Sequence, residues 1–304
     1  MIPDPFQRRP ARATIAVPTI AIATIAFACG LGCAAAQAQE ASAWQPQPHA
    51  SARLIAGASA KTAPLRAGIE LRLDPGWKTY WRYPGDSGVP PTLDFAGSVN
   101  VASATALWPA PERFADGAGG HSIGYHGDIV LPVRVVPKDA SKPSSLHAKV
   151  AYAICGTLCV PAEAALDLAL TAKAGAEEPA LAAAEARVPR RVPLGVGGRL
   201  GGDLAGDLAI RSLHREPGKT PERVVVEVVA PQGEPVDLFA EGPTPDWALP
   251  LPEEAAAAPG DAPGTRRFTF VLDGLPPGAQ AKGAALTLTA VSPNDAIEVV
   301  AHLD

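Results

Sequence analysis

Reactive side chains are scarce in this chain. Four cysteines and six histidines in 304 residues leave few places for nucleophilic or metal chemistry. There is no basic tract, and acidic residues outnumber basic ones 31 to 26, which argues against nucleic acid as a partner. Beyond the N-terminal region no stretch approaches the roughly 18 apolar residues that a membrane-spanning helix needs, so the mature chain is expected to be soluble. His121 and His126 lie five apart with no third ligand nearby, so they read as surface polar residues. No metal and no other cofactor is expected.

What is present begins with an address. Arg8, Arg9 and Arg12 precede an apolar run from Ala13 to Ala36, which ends in Ala36-Gln37-Ala38. Basic region, apolar core and A-x-A site together read as a secretory signal peptide over residues 1–38, so the protein is expected to be exported. Pro18 and the small-residue end argue against a retained anchor. Gly30 stands where a lipobox at Cys33 would prefer leucine, and Arg8-Arg9 lacks the rest of a twin-arginine pattern. Cleavage takes Lys+Arg from 26 to 23 and Asp+Glu from 31 to 30, so the formal charge moves from −5 to −7. It also removes Cys29 and Cys33. Cys155 and Cys159 are then the one pair left in an oxidising compartment.

That pair organises the chain. Leu146, Ala148, Val150, Tyr152 and Ile154 alternate with period two before it, and Leu166, Leu168 and Leu170 resume the alternation after it. Both are strand patterns, so the cysteines sit in a short connection between strands and do not open a helix. A tight reversal through Gly156-Thr157-Leu158, with Gly156 free to take positive φ, brings Cys155 opposite Cys159. A bond closing so small a loop contributes roughly 2 kcal/mol of chain entropy. It is a poor brace and a good redox pair.

The remaining sequence reads as all-β: two sandwich-like domains joined by a short helical linker. Residues 39–50 are expected to be a disordered lead-in, and residues 51–172 to form the cysteine-bearing domain. Residues 173–203 are expected to be a helical and Gly-rich linker, and residues 204–304 a second β domain. Within the first domain, Trp77, Thr79, Trp81 and Tyr83 share one face of an aromatic strand and are expected to pack the core. Residues 109–127 read as a long Gly-rich loop.

Taken with the segments before it, the cysteine hairpin resembles the periplasmic N-terminal domain of the DsbD thiol:disulfide interchange proteins. The matching pieces are Gly120-His-Ser-Ile-Gly-Tyr125, Ile129-Val-Leu-Pro-Val133, Val150-Ala-Tyr152 and Cys155 through Cys159 with Val160-Pro161-Ala-Glu163. Gly76-Trp77-Lys78-Thr79-Tyr80-Trp81 and Pro84-Gly-Asp-Ser-Gly88 are similar to secreted relatives that carry this domain without the membrane part. The resemblance implies an immunoglobulin-like β-sandwich and a thiol-disulfide oxidoreductase of the protein-disulfide reductase type. It would take electrons from a membrane electron donor of DsbD/CcdA type and pass them to periplasmic thioredoxin-fold proteins. It also implies that Cys159 forms the mixed disulfide and Cys155 resolves it, under a cap running from about Asp116 to Gly120. Tyr125, Tyr152 and Glu163 are further candidate neighbours. Two departures stand out. Three residues separate the cysteines where the family has five, and the cap segment lacks the family's shielding aromatic, for which Phe114 is the nearby substitute. No Lys, Arg or His lies within the hairpin, and Glu163 would raise a thiol pKa, so a slow free thiol is expected.

Two other readings compete: an adaptor or binding module with an inert disulfide, and a copper-handling protein using both cysteines and a loop histidine. The sequence leaves open whether the electrons serve cytochrome c biogenesis, disulfide isomerisation or metal tolerance.

Overall fold

Where apolar residues recur at every second position, the chain forms strands that bury one face. A computed structural model of the protein describes residues 40–59, 64–116, 119–170, 175–197, 208–216, 218, 221–257 and 262–304; the signal-peptide reading falls outside them. The first half contains β1 (Gln45–Gln47), β2 (Ala50–Ala56), β3 (Leu65–Leu73), β4 (Lys78–Gly85), β5 (Thr92–Asp94) and β6 (Val101–Ala106). It continues with β7 (Glu112–Ala115), β8 (His121–His126), β9 (Ile129–Pro137), β10 (Ser144–Cys155) and β11 (Cys159–Leu170). One sheet runs β1-β2-β3-β9-β6, and the facing sheet runs β11-β10-β4-β8-β7 with β5 also beside β10. Leu54, Ile69 and Val135 from one sheet and Trp81, Ile123, Leu146, Ile154 and Leu166 from the other fill the space between them. The alternation of β10 and β11 is thereby used as the sequence suggests. Trp77, Trp81 and Tyr83 all pack on this core.

After helix α1 (Glu178–Ala186) come β12 (Arg190–Arg191), β13 (Ala209–Glu216), β14 (Arg223–Val229) and β15 (Asp237–Glu241). They are followed by β16 (Glu253–Ala255), β17 (Thr265–Val271), β18 (Ala285–Val291) and β19 (Ala296–His302). Two four-stranded sheets, β12-β19-β18-β15 and β13-β14-β17-β16, enclose a second core around Val226, Phe268, Leu288 and Val299. The architecture is two β-sandwiches, as the alternation implies.

Two expectations change. Residues 40–50 are an ordered edge: β1 pairs with β2, Ala41 bridges to Ile55, and the Trp44 ring lies between the Arg53 and Arg72 guanidiniums, 4.4 Å from each. The two cation–π contacts supply an anchor that a Gln/Pro-rich composition hides. The supposed loop over 109–127 holds the β7–β8 hairpin, and Gly124 lets β8 lie against Thr79 where a Cβ would collide with the backbone. The helical linker docks on the first sandwich: Leu181 is buried, and Arg66 pairs with Glu178 at 2.7 Å and Glu185 at 2.6 Å. Part of the Gly-rich stretch from Gly195, including the expected start of the second domain, lies outside the described residues.

Charged side chains join the sandwiches. Arg82 of β4 reaches Glu241 and Glu298, each at 2.6 Å, and Arg191 reaches Glu298 at 2.7 Å. Arg113 of β7 pairs with Asp237 at 2.7 Å and donates to the carbonyls of Leu238 and Pro252. The Tyr83 hydroxyl donates to the Leu249 carbonyl, and Trp81 packs on Phe239 with ring centroids 5.8 Å apart. Burial alone would push the Glu298 carboxyl up, but the charges of Arg82 and Arg191 outweigh it and hold it below the usual carboxylate range. A depressed carboxylate stabilises the fold in full above its unfolded pKa and loses that contribution as pH falls through the folded value. Arg82→Met strands Glu241, leaves Glu298 only Arg191, and is expected to lower the unfolding free energy by about 3 kcal/mol at neutral pH. The loss should shrink in acid as Glu298 protonates, which urea titrations at several pH values would show.

Candidate functional site

The β10–β11 ladder runs in unbroken register from Ser144↔Leu170 to Cys155↔Cys159. The two cysteines are bonded, with Cα atoms 4.1 Å apart. At the tip Gly156 N–H donates to Leu158 O. Gly156 does not use a positive φ; its missing Cβ matters for space, because one would stand 3.1 Å from the Trp77 ring. The indole covers that side of the tip.

Strand parity then decides where the sulfurs go. Leu146, Ala148, Val150, Tyr152 and Ile154 face the core, so Ala153 and Cys155 face outward. Yet Cys155 is only 1% exposed, because Tyr80 of β4 covers it and the three residues make a small apolar cluster of their own. Cys159, across the bond, is exposed. The Tyr80 hydroxyl oxygen is 3.2 Å from Cys155 Sγ and 3.4 Å from Cys159 Sγ. A disulfide sulfur has no hydrogen, so the phenol is the donor. Burial pushes the Tyr80 phenol pKa up; Ser122 opposes the shift and the Asp116 charge adds to it. The hydroxyl therefore keeps its proton at neutral pH.

Tyr80 lies under the loop after β4. Gly88 has φ +137°, and a Cβ there would stand 2.5 Å from Tyr80 Cε1. The loop can rest on the ring because position 88 has no side chain. Lys78, Ser87, Val89 and Asp116 complete the walls of a cleft of about 430 Å³ that opens beside the disulfide.

The sequence candidates scatter. Asp116 is on the cleft wall, its carboxylate accepting from Ser87 Oγ at 2.9 Å and from Gly120 N at 3.0 Å. Gly120 is packed tightly against Asp116 and Asp86. Tyr125 is in the core, donating to Pro109 O at 2.8 Å. Tyr152 is also in the core, and burial pushes its phenol up to about 12. Glu163 sits on the exposed side of β11 opposite Ala151, four residues below the bond. Phe114 packs against Lys78 and His126, not over the sulfurs. Sequence reasoning missed Tyr80 and Lys78. The alternation that assigned Trp77, Trp81 and Tyr83 to the core already placed both on the opposite face, but nothing local showed that this face meets Cys155. His121 and His126 are exposed, and among the described residues no group of three or more His, Cys, Asp or Glu is placed to hold a metal ion. No helix among them is long and apolar enough to cross a membrane.

Residues 46–171 match the family model of the thiol:disulfide interchange protein DsbD, N-terminal. Among solved structures, the N-terminal periplasmic domain of ScsB from Proteus mirabilis is 23% identical with a TM-score of 0.65. That match covers 87% of this chain and 98% of the other, so the likeness in fold takes in both sandwiches. A marsupial T cell receptor aligns over 85% of this chain and 98% of its own at 10% identity, with a TM-score of 0.18 that carries no weight. No curated protein matches the sequence.

The fit of loop to ring is testable. Gly88→Ala should lift the loop from Tyr80 and speed reduction of the disulfide by dithiothreitol severalfold. Gly233→Ala, also at a positive φ (+84°) but with open space around it, should leave the rate unchanged.

Proposed function

From the premise that residues 46–171 are a domain of the DsbD N-terminal family, we propose that this protein is a periplasmic electron carrier. It is exported by residues 1–38 and works by thiol–disulfide exchange at Cys155–Cys159. The observation that carries this reading is the uneven burial of the pair: Cys159 is an exposed residue, and Cys155 is buried under a hydrogen-bond donor.

Attack by a donor thiolate falls on the exposed Cys159 Sγ. A bond forms between the incoming sulfur and Cys159, the Cys155–Cys159 bond breaks, and the electron pair leaves on Cys155 Sγ. The Tyr80 O–H, already directed at that sulfur, strengthens its hydrogen bond as charge develops. A second donor thiolate then displaces Cys159. The donor ends as a disulfide and the carrier as a dithiol, two electrons richer. Delivery runs the other way: Cys159 thiolate attacks an acceptor disulfide, and Cys155 closes on Cys159 to release the reduced acceptor. By its family, the donor is a membrane protein of DsbD/CcdA type and the acceptor a periplasmic thioredoxin-fold protein.

Two measurements test this. Cys155→Ser should accumulate mixed disulfides through Cys159 in cells, and mass spectrometry should identify thioredoxin-fold partners. The reduction potential of the pair should lie above about −300 mV. A value far below that, with no trapped partner, would leave the bond as an inert brace and favour an adaptor role.

A further inference from the structure

Exchange at Cys159 leaves the electron pair on a sulfur that is almost wholly buried. A thiolate stripped of water is costly unless opposite charge or donors are close. Tyr80 supplies one neutral donor. A cation is also within the fold's reach.

Lys78 is the register partner of Cys155 across the β4–β10 pairing. Directly opposed residues of an antiparallel pair project to the same face, with Cβ atoms about 4.5–5.5 Å apart. Both residues line the cleft. The Lys78 ammonium rests 4.1 Å from the centroid of the Phe114 ring and, among the described residues, hydrogen-bonds to the Ala115 carbonyl at 3.5 Å. Among the described residues it has no carboxylate partner. His126, opposite Lys78 on β8, is turned to Glu112 at 3.4 Å, and Asp116 on the far wall is held by Ser87 and the Gly120 N–H. A half-buried cation without a counter-charge thus stands across the ladder from a sulfur that gains one.

We propose that Lys78 is the counter-charge of the reduced state. Once the disulfide opens, its ammonium leaves the Phe114 ring for the Cys155 thiolate, lowering that thiol's pKa and favouring the closing step. In that step Cys155 thiolate attacks Cys159 Sγ, the Cys155–Cys159 bond forms, and the partner's sulfur departs as thiolate. The proposal rests on the exchange reading above. The hairpin's own sequence holds no cation; the neighbouring strand supplies it.

The test uses the full chain. In Cys159→Ser protein, Cys155 is the lone thiol of the hairpin, and its thiolate absorbance can be titrated against pH. Adding Lys78→Met should raise the midpoint by about one pH unit, because Asp116 is then the charge left in the cleft, whereas Lys78→Arg should keep the midpoint near its starting value. With both cysteines present, Ellman's reagent can be loaded on Cys159 and release of its thiolate by Cys155 timed. Lys78→Met should slow release about threefold to fivefold near neutral pH, since the smaller thiolate fraction is partly offset by greater nucleophilicity. An unchanged midpoint in Lys78→Met protein with a native circular dichroism spectrum would overturn the proposal. So would an equal rise in Lys78→Arg, which would mark a packing effect. These readouts need no physiological partner. A shifted midpoint with no mixed disulfides in cells would refute the carrier reading and leave the role of Lys78 standing.

Discussion

The cysteine cleft depends on the register of β10 between β11 and β4. Ile154 faces the sandwich core and Cys155, one residue on, faces outward beneath Tyr80. A slip of one position would turn every side chain of β10 to the wrong face, driving Cys155 inward and five apolar side chains outward. Burial of Leu146 through Ile154 on alternate positions therefore fixes the chemistry as well as the fold. The turn does the rest: three residues bring the strand ends back opposite each other, so the same ladder that packs the core presents two sulfurs to one another.

The second sandwich contributes to this arrangement through the strands it grips. Arg82 and Arg113 belong to β4 and β7, and those strands carry Tyr80 and lead into Asp116. Trp81, between Tyr80 and Arg82, has its ring against Phe239 on the side away from the disulfide. Half-buried ion pairs of this kind add little net stability over apolar packing but tolerate no loss of one partner. They fix how the two sandwiches meet, and with it the backbone beneath the cleft. The burial of Glu298 beside two arginines is where that constraint is concentrated.

Much of the framework was legible because period two is a local signal. The strands around Cys155 and Cys159, the aromatic strand at Trp77–Tyr83, the helix near Glu178 and several strands of the second sandwich all follow from alternation or composition. What escaped depends on contacts between distant segments. Nothing near Trp44 shows that two arginines will hold its ring, and nothing near Gly124 shows that a neighbouring strand will press on it. The cleft escaped for the same reason. Asp116 was found through family likeness, whereas Tyr80 and Lys78 have no meaning beside a cysteine until β4 is paired with β10. Candidates sought close to the cysteines in sequence, Tyr152 and Glu163, proved to be a core ring and a surface carboxylate. In a sheet the neighbours that matter chemically are across the ladder, not along the chain.

That distinction also bears on what sets the energy of the bond. A disulfide closing a five-residue loop adds only roughly 2 kcal/mol by restricting the unfolded chain, and here the β10–β11 ladder already holds the two cysteines opposite each other. Opening the bond releases little chain entropy and leaves the strands paired. The balance between oxidised and reduced forms is then decided by how well the surroundings tolerate sulfur in each state: a hydrogen-bonded disulfide buried on its Cys155 side against a buried Cys155 thiol or thiolate. About 1.4 kcal/mol of difference moves the potential by 30 mV, the scale of a single charge-assisted hydrogen bond at Cys155. A hairpin with so small a loop thus places control of its redox behaviour in Tyr80, Lys78 and the loop at Gly88, none of which belongs to the hairpin itself.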